Sequence, residues 1–207
     1  MNIAVFGGTG GVGRSLVAQA IEAGHEVVVL ARTPEKMDLT HERLRVVQGD
    51  GLDAEAVSQV VAGQQAVLCA VGGAGLSDSA TRSAVTKNIL AAMQQHEVPT
   101  LVVCSSLGAG DSLHHLPFLS RGIVKLMLRH AIADHSTQEE MIRASDCDWV
   151  IVRPPRLLDT EKTESYRVAE EQESFSASQV SRADVAHFML KTVEDSSYHR
   201  KAISISM

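Results

Sequence analysis

Short runs of apolar residues alternate with longer stretches of helical periodicity along the chain. The apolar runs have the length of strands, and they lie at residues 3–6, 26–31, 44–48, 66–71, 100–105, 149–153 and 202–206. Their interiors are nearly continuous Val, Ile, Leu and Ala, which is typical of parallel strands covered on both faces. The stretches between them predict helices near residues 12–23, 53–62, 79–96, 121–145 and 182–194. The pattern predicts one α/β domain over residues 1–207, with a doubly wound, mostly parallel sheet and helices on both faces.

Two longer irregular stretches, near residues 106–120 and 154–181, come directly after predicted strands. In an open α/β sheet, ligands bind in the crevice outside the carboxyl ends of the strands. We therefore expect these two stretches to form the walls of a substrate site.

The composition narrows the class of protein. Of the 207 residues, 44% are hydrophobic and 21% are charged, as in an ordinary globular domain. A net charge of -6 gives no overall attraction to nucleic acid or to an anionic membrane. Neither a signal peptide nor a membrane-spanning run is recognisable, so a cytoplasmic protein is expected. The three cysteines form no CxxC motif, and no metal site is predicted.

Residues 7–13, GGTGGVG, satisfy two glycine spacings: GxxGxxG at 7, 10 and 13, and GxGxxG at 8, 10 and 13. The turn follows the first predicted strand and opens the first predicted helix, which is the context that a dinucleotide-binding turn requires. Glycines allow the backbone to approach a pyrophosphate closely, and the helix N-terminus supplies unpaired N–H groups. The motif predicts a Rossmann fold, with an incidental glycine-rich turn as the alternative. The predicted cofactor contacts in the turn are Gly7, Thr9, Gly10, Gly11, Val12 and Gly13.

The end of the second strand favours NADP(H) over NAD(H). A carboxylate there would hold the ribose 2′-hydroxyl of NAD, whereas this chain has Arg32, which can bind a 2′-phosphate with two hydrogen bonds. Thr33 and Lys36 follow closely and are predicted to assist. The alternative is a solvated arginine in a loop.

Two more strand ends are predicted to complete the cleft. Asp50 and Gly51 follow the third strand, and Val71 and Gly72 end the fourth. Small residues let the backbone approach adenine and ribose. Asp50 can accept a hydrogen bond from the adenine amino group, although a helix-cap or turn aspartate is nearly as good an interpretation.

With residues 7–13, Arg32, Asp50 and the run DWVIVRPP at 148–155 in view, the sequence resembles the atypical short-chain dehydrogenase/reductases. Within them it is most similar to the flavin reductase/biliverdin IXβ reductase family, close to the NAD(P)H-binding, NmrA-like group. The run SRADVA at 181–186 extends the resemblance nearly to the end of the chain. The resemblance implies NADPH as the cofactor, an open substrate pocket, and a monomer in preference to a dimer. The cofactor contacts that it implies after the sixth strand are Arg153, Pro154 and Pro155.

The classical members of this superfamily protonate the substrate with a tyrosine and a lysine four residues later. Here the residue four positions on is Glu170 for Tyr166 and Ala202 for Tyr198, so no YxxxK pair exists. Ketone–alcohol chemistry with a tyrosine acid is therefore disfavoured. We expect hydride transfer to a planar conjugated acceptor, such as a flavin, a quinone or a linear tetrapyrrole, because its ring system spreads the arriving charge. A flavin would then be a substrate and not a bound prosthetic group.

Three side chains are candidates for the acceptor end of the cleft. Ser106 ends the fifth strand, where its hydroxyl can orient the nicotinamide or the acceptor, and a turn cap is the alternative. His135 follows Asp134 in a predicted helix and is a candidate proton shuttle, with a surface or packing role as the alternative. Arg156 stands where the biliverdin-reducing relatives have a histidine, and a cation there is predicted to bind an acidic group of the substrate.

These observations predict an NADPH-dependent reductase. The alternative is an NADP(H) sensor of the NmrA-like type, which binds the cofactor without turnover and acts through a partner. The missing catalytic tyrosine suits both hypotheses.

Overall fold

The computed structural model describes residues 1–73, 80–115, 128–171, 173 and 175–207. The strands found there are β1 (Asn2–Phe6), β2 (Glu26–Ala31), β3 (Leu44–Gln48), β4 (Ala66–Cys69), β5 (Thr100–Cys104), β6 (Asp148–Arg153), β7 (Arg156–Leu158), β8 (Arg167–Glu170), β9 (Gln179–Ser181) and β10 (Lys201–Ser206). The α-helices are α1 (Gly11–Glu22), α2 (Ala54–Val61), α3 (Thr81–Gln95), α4 (Arg129–Arg143) and α5 (Arg182–Glu194). Within the described ranges, no helix is both long and apolar enough to cross a bilayer.

One sheet contains eight strands in the order β3-β2-β1-β4-β5-β6-β10-β8. Neighbouring strands are parallel except for β8, which pairs antiparallel with β10 at the edge. The strand order reverses between β1 and β4, so the crevice outside their carboxyl ends lies at the switch point of the sheet. β7 and β9 form a separate parallel pair.

Helices cover both faces of the sheet, and alternate strand residues point to opposite faces. In β1, Ile3 and Val5 belong to the core formed with α1 and α5, whereas Ala4 and Phe6 belong to the core formed with α2, α3 and α4. Because both faces are buried, the interiors of the central strands β1, β2, β4 and β5 are apolar and lack a polar alternation.

The predicted fold class is confirmed, and each of the seven predicted strands corresponds to an observed one. The prediction that residues 154–181 are irregular is wrong in part, since β7, β8 and β9 lie there. These strands have only three or four residues each, which is too short for a recognisable hydrophobic period. Residue 79 and residues 121–127, at the starts of two predicted helices, lie outside the described residues.

Candidate functional site

The glycine-rich turn connects β1 to α1 at the switch point of the sheet. Gly7 has a φ of +79°, a conformation that favours glycine, and a Cβ there would overlap the backbone carbonyl of Ala70 after β4. A Cβ on Gly13 would overlap the carbonyl oxygen of Gly7, so this glycine lets α1 lie directly against the strand end. The Gly10 N–H donates to the Gly7 carbonyl at 3.0 Å and closes the turn.

The start of α1 is a place where an anion can bind. The helix begins after Gly10 without a side-chain cap, and the first N–H groups of a helix have no partner within it. Gly11 is exposed, and a Cβ there would lie 2.6 Å from Nε of Arg182, whose guanidinium pairs with Asp159 at 2.5 Å. The helix start and Arg182 together suit a pyrophosphate. Arg182 is a site residue that sequence reasoning missed.

A cavity of about 290 Å³, named here the β2-side cavity, lies beside the turn over the ends of β1, β2, β3 and β4. Backbone and small side chains make up most of its lining. The residues predicted to bind the cofactor that line it are Gly7, Thr9, Gly10, Arg32, Asp50, Gly51, Val71 and Gly72.

Arg32 lies directly after β2, is exposed, and lines the β2-side cavity. No described residue forms an ion pair with it, so the guanidinium is available to a phosphate at the cavity mouth. Thr33 and Lys36 are exposed nearby, but neither is part of the described lining.

Arg14 of α1 holds the segment after β2 in place. Its guanidinium donates to the carbonyl oxygens of Thr9 and Lys36, each at 3.0 Å, and pairs with Asp38 at 3.2 Å. Arg14 thus fixes the glycine turn relative to the segment that carries Arg32. Nothing in the local pattern indicated these contacts.

Asp50 has a structural contact as well as a place in the cavity wall. Its Oδ1 accepts the N–H of Leu52 at 3.0 Å, as the turn interpretation predicted, and contact with adenine stays a prediction. The next residue, Gly51, approaches α3 closely. A Cβ there would lie 2.9 Å from Val85, and the Asn88 side chain donates to its carbonyl oxygen at 3.0 Å.

A second cavity of about 270 Å³, named here the β5-side cavity, lies over the ends of β4, β5 and β6. It shares part of its lining with the β2-side cavity, so the two form one continuous cleft across the switch point. Such a cleft suits an extended dinucleotide. The shared residues are Gly10, Ala70, Val71 and Gly72, and further lining residues are Gly11, Val12, Arg82, Cys104, Ser105, Ser106, His135, Pro154, Pro155, Leu157 and Arg182.

Ser106 and Ser105 make different contacts. Ser105 is buried, and its hydroxyl donates to Oε1 of Glu139 at 2.6 Å. Ser106 is half-buried in the cavity wall, and the only described hydrogen bond of its hydroxyl is a long one of 3.4 Å to the Leu107 carbonyl. The Ser106 hydroxyl is therefore free to bind a ligand. Burial raises the pKa of the neighbouring Cys104 thiol to about 12, so this thiol is inert at neutral pH.

His135 lines the β5-side cavity but is not suited to proton transfer. Burial, helped by the positive charge of Arg82, lowers its pKa to about 4. Its Nδ1 lies 3.3 Å from Oε1 of Gln138, whose amide donates to Thr86 at 2.8 Å. An imidazole that stays neutral at neutral pH holds no acidic proton to release. The predicted shuttle role does not fit this environment.

Asp134, the residue before His135, caps α3 from the neighbouring helix. Its carboxylate accepts the backbone N–H groups of Arg82 and Ser83 at 2.9 and 3.0 Å, and the Ser83 hydroxyl at 2.6 Å. Burial opposes ionisation, but these hydrogen bonds outweigh it and lower the pKa of Asp134. Asp134 therefore has a structural role that places the N-terminus of α3 at the cleft.

The prediction that Arg153 contacts the cofactor is wrong for its side chain. Arg153 is 1% exposed, lies outside the described lining of both cavities, and pairs with Glu139 at 2.5 Å. Its Nη1 lies 2.9 Å from Asp111 and 3.2 Å from Glu171. These acidic residues hold the guanidinium behind the cavity wall. The following prolines, Pro154 and Pro155, do line the cavity, as the resemblance implied.

Arg156 was predicted to place a cation at the pocket wall, but the structure places its side chain elsewhere. It begins β7, is exposed, and is not part of the described lining. Leu157 is part of that lining, and successive strand residues point in opposite directions. The alternation thus turns Arg156 away from the cavity.

The two stretches predicted to form the substrate walls are described by the structure to different extents. In the stretch 106–120, residues 112–115 form a 3₁₀ turn, and residues 116–120 lie outside the described residues. In the stretch 154–181, the β7–β9 pair brings Leu157 to the cavity.

Comparison with known proteins gives relatives over nearly the whole chain. The reductase pytE of Aspergillus terreus is 27% identical, and the match covers 99% of this chain and 97% of that protein. The structure of ChuY, an anaerobillin reductase from Escherichia coli O157:H7, has a TM-score of 0.83 at 21% identity, and the match covers 100% of this chain and 97% of that chain. A short-chain dehydrogenase/reductase from Veillonella parvula DSM 2008 in complex with NADP has a TM-score of 0.81 at 19% identity, over 100% and 94%. At these identities the two structures show the fold alone.

A family model described as NAD(P)H-binding matches residues 7–196, from the glycine turn to just beyond the end of α5. The motifs at 7–13 and 181–186 lie within this match, and the structure brings both to the same cleft. The chain therefore belongs to the NAD(P)H-binding family, with a Rossmann fold.

Proposed function

We propose that this protein is an NADPH-dependent reductase that transfers hydride to a planar conjugated acceptor, such as a flavin, a quinone or a linear tetrapyrrole. In this proposal the β2-side cavity takes the adenosine half of NADPH, with Arg32 at the 2′-phosphate. The nicotinamide and the acceptor meet in the β5-side cavity, where Ser106 orients one of them. Two similar proteins support this assignment: the Aspergillus relative is a reductase, and the structural neighbour ChuY is an anaerobillin reductase.

One observation carries the choice of acceptor: no described residue lining the β5-side cavity is a tyrosine, lysine, aspartate or glutamate. The nearest alternatives are poor acids, since His135 is neutral and the Cys104 thiol holds its proton. Tyr166 lies elsewhere, bonded to Nδ1 of His187 at 2.8 Å, and burial raises its pKa to about 12. An acceptor that spreads charge over conjugated heteroatoms needs no protein acid during hydride transfer.

The test is NADPH oxidation with FMN, riboflavin and a naphthoquinone as acceptors, followed in the nicotinamide absorbance band. We expect turnover of at least one acceptor, and a loss of about tenfold or more in kcat/KM for Ser106→Ala because the acceptor is less well oriented. Ser145→Ala is the matched control, since Ser145 lies at the opposite end of the sheet and bonds the Ile142 carbonyl.

Tight NADPH binding with no turnover of any acceptor would contradict the proposal. It would favour the NADP(H) sensor, for which binding of the cofactor is the whole function.

A further inference from the structure

Arg82 is a buried cation in the wall of the β5-side cavity. It lies on the first turn of α3, is 8% exposed, and lines the cavity together with Ser106 and His135. Its guanidinium packs against the backbone of Gly73, where a Cβ would lie 2.7 Å from Nη1 and 2.8 Å from Nη2. Arginine is almost never buried to this extent unless its charge has a partner.

Asp134 accepts a hydrogen bond from only one of the nitrogen atoms of this guanidinium. The carboxylate is mainly occupied by the backbone of α3 and the hydroxyl of Ser83, and its contact with Nη1 of Arg82 is long, at 3.3 Å. A charge-assisted hydrogen bond between arginine and a carboxylate is usually shorter than 3 Å. Nε of Arg82 is buried and has no hydrogen-bond partner among the described residues. A buried donor of this kind is rare in native proteins, and at the wall of a cleft it indicates a group that a bound ligand completes.

We propose that Arg82 is the anion-binding residue of the acceptor site: it binds an acceptor whose planar ring carries a carboxylate, or gains a negatively charged oxygen on reduction. The inference rests on the proposed function and names the substrate class of that site. It also supplies a charge partner for a group that the described residues leave incompletely paired.

Hydride transfer to such an acceptor creates a negative charge that a fixed cation can stabilise. The C–H bond at C4 of the nicotinamide breaks, and the hydrogen moves with both electrons to the acceptor, so that the nicotinamide is oxidised and the acceptor reduced. The product anion holds its charge on a conjugated oxygen until water donates a proton. A fixed guanidinium beside that oxygen stabilises the anion at the moment it forms, and its effect is strong in a cavity of low dielectric.

The other arginines near the cleft are less suited to this role. Arg153 is enclosed by three carboxylates, Arg156 lies outside the described lining, and Arg182 is paired with Asp159 beside the helix start. The charge of Arg82 already reaches the cavity, because it contributes to the depressed pKa of His135.

The first experiment measures binding without turnover. With the protein saturated with NADP⁺, the affinities of 2-naphthoate and of neutral 2-naphthamide are compared by calorimetry. We expect the wild type to prefer the carboxylate by about tenfold or more, Arg82→Met to lose this preference, and Arg82→Lys to keep part of it. Ser83→Ala is the control, since it removes a hydrogen bond to the same Asp134 carboxylate without changing the cavity.

The second experiment measures the single-turnover rate of hydride transfer to a naphthoquinone. Arg82→Met should lower it by about a hundredfold while the affinity for NADPH changes by less than about twofold. A similar loss in Ser83→Ala, an equal loss of NADPH affinity, or no preference for naphthoate in the wild type would each overturn the inference. If no acceptor is reduced but the naphthoate preference depends on Arg82, the proposed reductase function fails and the anion site stands.

Discussion

The two halves of the cleft differ in which parts of the chain line them. The β2-side cavity is lined mainly by backbone, because glycines and small residues end β1, β3 and β4. The β5-side cavity is also lined by long side chains, namely Arg82 of α3, His135 of α4 and Arg182 of α5. Local sequence determines the first half, since a glycine spacing fixes a turn. The second half depends on contacts between distant segments, such as Arg82 and Asp134, which are 52 residues apart.

A buried polar network supports the second half from behind. Oε1 of Glu139 accepts from the Ser105 hydroxyl at 2.6 Å and from Nε of Arg153 at 3.0 Å. This carboxylate therefore ties α4 to the ends of β5 and β6. On the β2 side the supporting contacts are those of Arg14, which lie at the exposed surface and bind mainly backbone carbonyls.

The largest effect is expected from breaking this network. Glu139→Ala leaves the Arg153 guanidinium buried with only Asp111 and Glu171, so the free energy of unfolding should fall by about 3–5 kcal/mol in urea denaturation. Glu140→Ala, on the exposed side of the same helix, is the control.

The comparison also predicts where the damage stops. Under conditions where Glu139→Ala is folded, its affinity for adenosine 2′,5′-bisphosphate should change by less than about twofold, because the β2-side half is distant. Removing both partners in Glu139→Leu/Arg153→Met should recover much of the lost stability. Equal stabilities of the Glu139 and Glu140 variants would show that the network does not support the fold.

The sequence predicted the β2-side half well for a physical reason. A strand, a glycine spacing and a helix together specify a backbone geometry, and residues 7–13 satisfy that specification within seven positions. The parallel sheet was also predictable, because strands buried on both faces must be apolar throughout.

The β5-side half was predicted less well because its residues come together only on folding. Arg153 lies in a motif that suggested the cofactor, yet three carboxylates from other elements hold it behind the wall. Leu157, and not Arg156, faces the β5-side cavity because of the pairing of β7 with β9. Strands of three residues are too short for their periodicity to predict this orientation. The sequence of α3 does not distinguish Arg82 from any other charged residue of a helix. Its place at the cleft depends on the hydrogen bonds by which Asp134 positions the start of α3.

A smaller effect is expected from the buried imidazole of His135. Its pKa is about 4 in the folded protein against 6.5 when unperturbed, so between these values the unfolded chain binds more protons. Stability from this site is therefore present above about pH 6.5 and is lost as the pH falls towards about 4, by about 3 kcal/mol in all.

The measurement is urea denaturation of the wild type and His135→Asn over this range of pH. The difference in unfolding free energy between the two proteins should shrink or reverse at acidic pH. The control is His130→Asn, which lies on the exposed first turn of the same helix. If the unfolding free energies of the wild type and His135→Asn changed with pH in parallel, the His135 imidazole would have the same pKa in the folded and unfolded states, contrary to this prediction.

The mildest change concerns cofactor choice in the β2-side half. If Arg32 binds the 2′-phosphate as proposed, Arg32→Asp replaces that ligand by a charge that repels phosphate but can accept the ribose 2′-hydroxyl. Calorimetry should show NADPH affinity reduced by about 10–100-fold, corresponding to about 1.5–3 kcal/mol, with NADH affinity nearly unchanged. Arg45→Asp makes the same change of charge at an exposed position of β3 outside the described lining, so it separates direct contact from the general field. If the unmutated protein bound NADPH and NADH equally, Arg32 would be a solvated loop arginine, and the backbone-built half would recognise only what the two dinucleotides share.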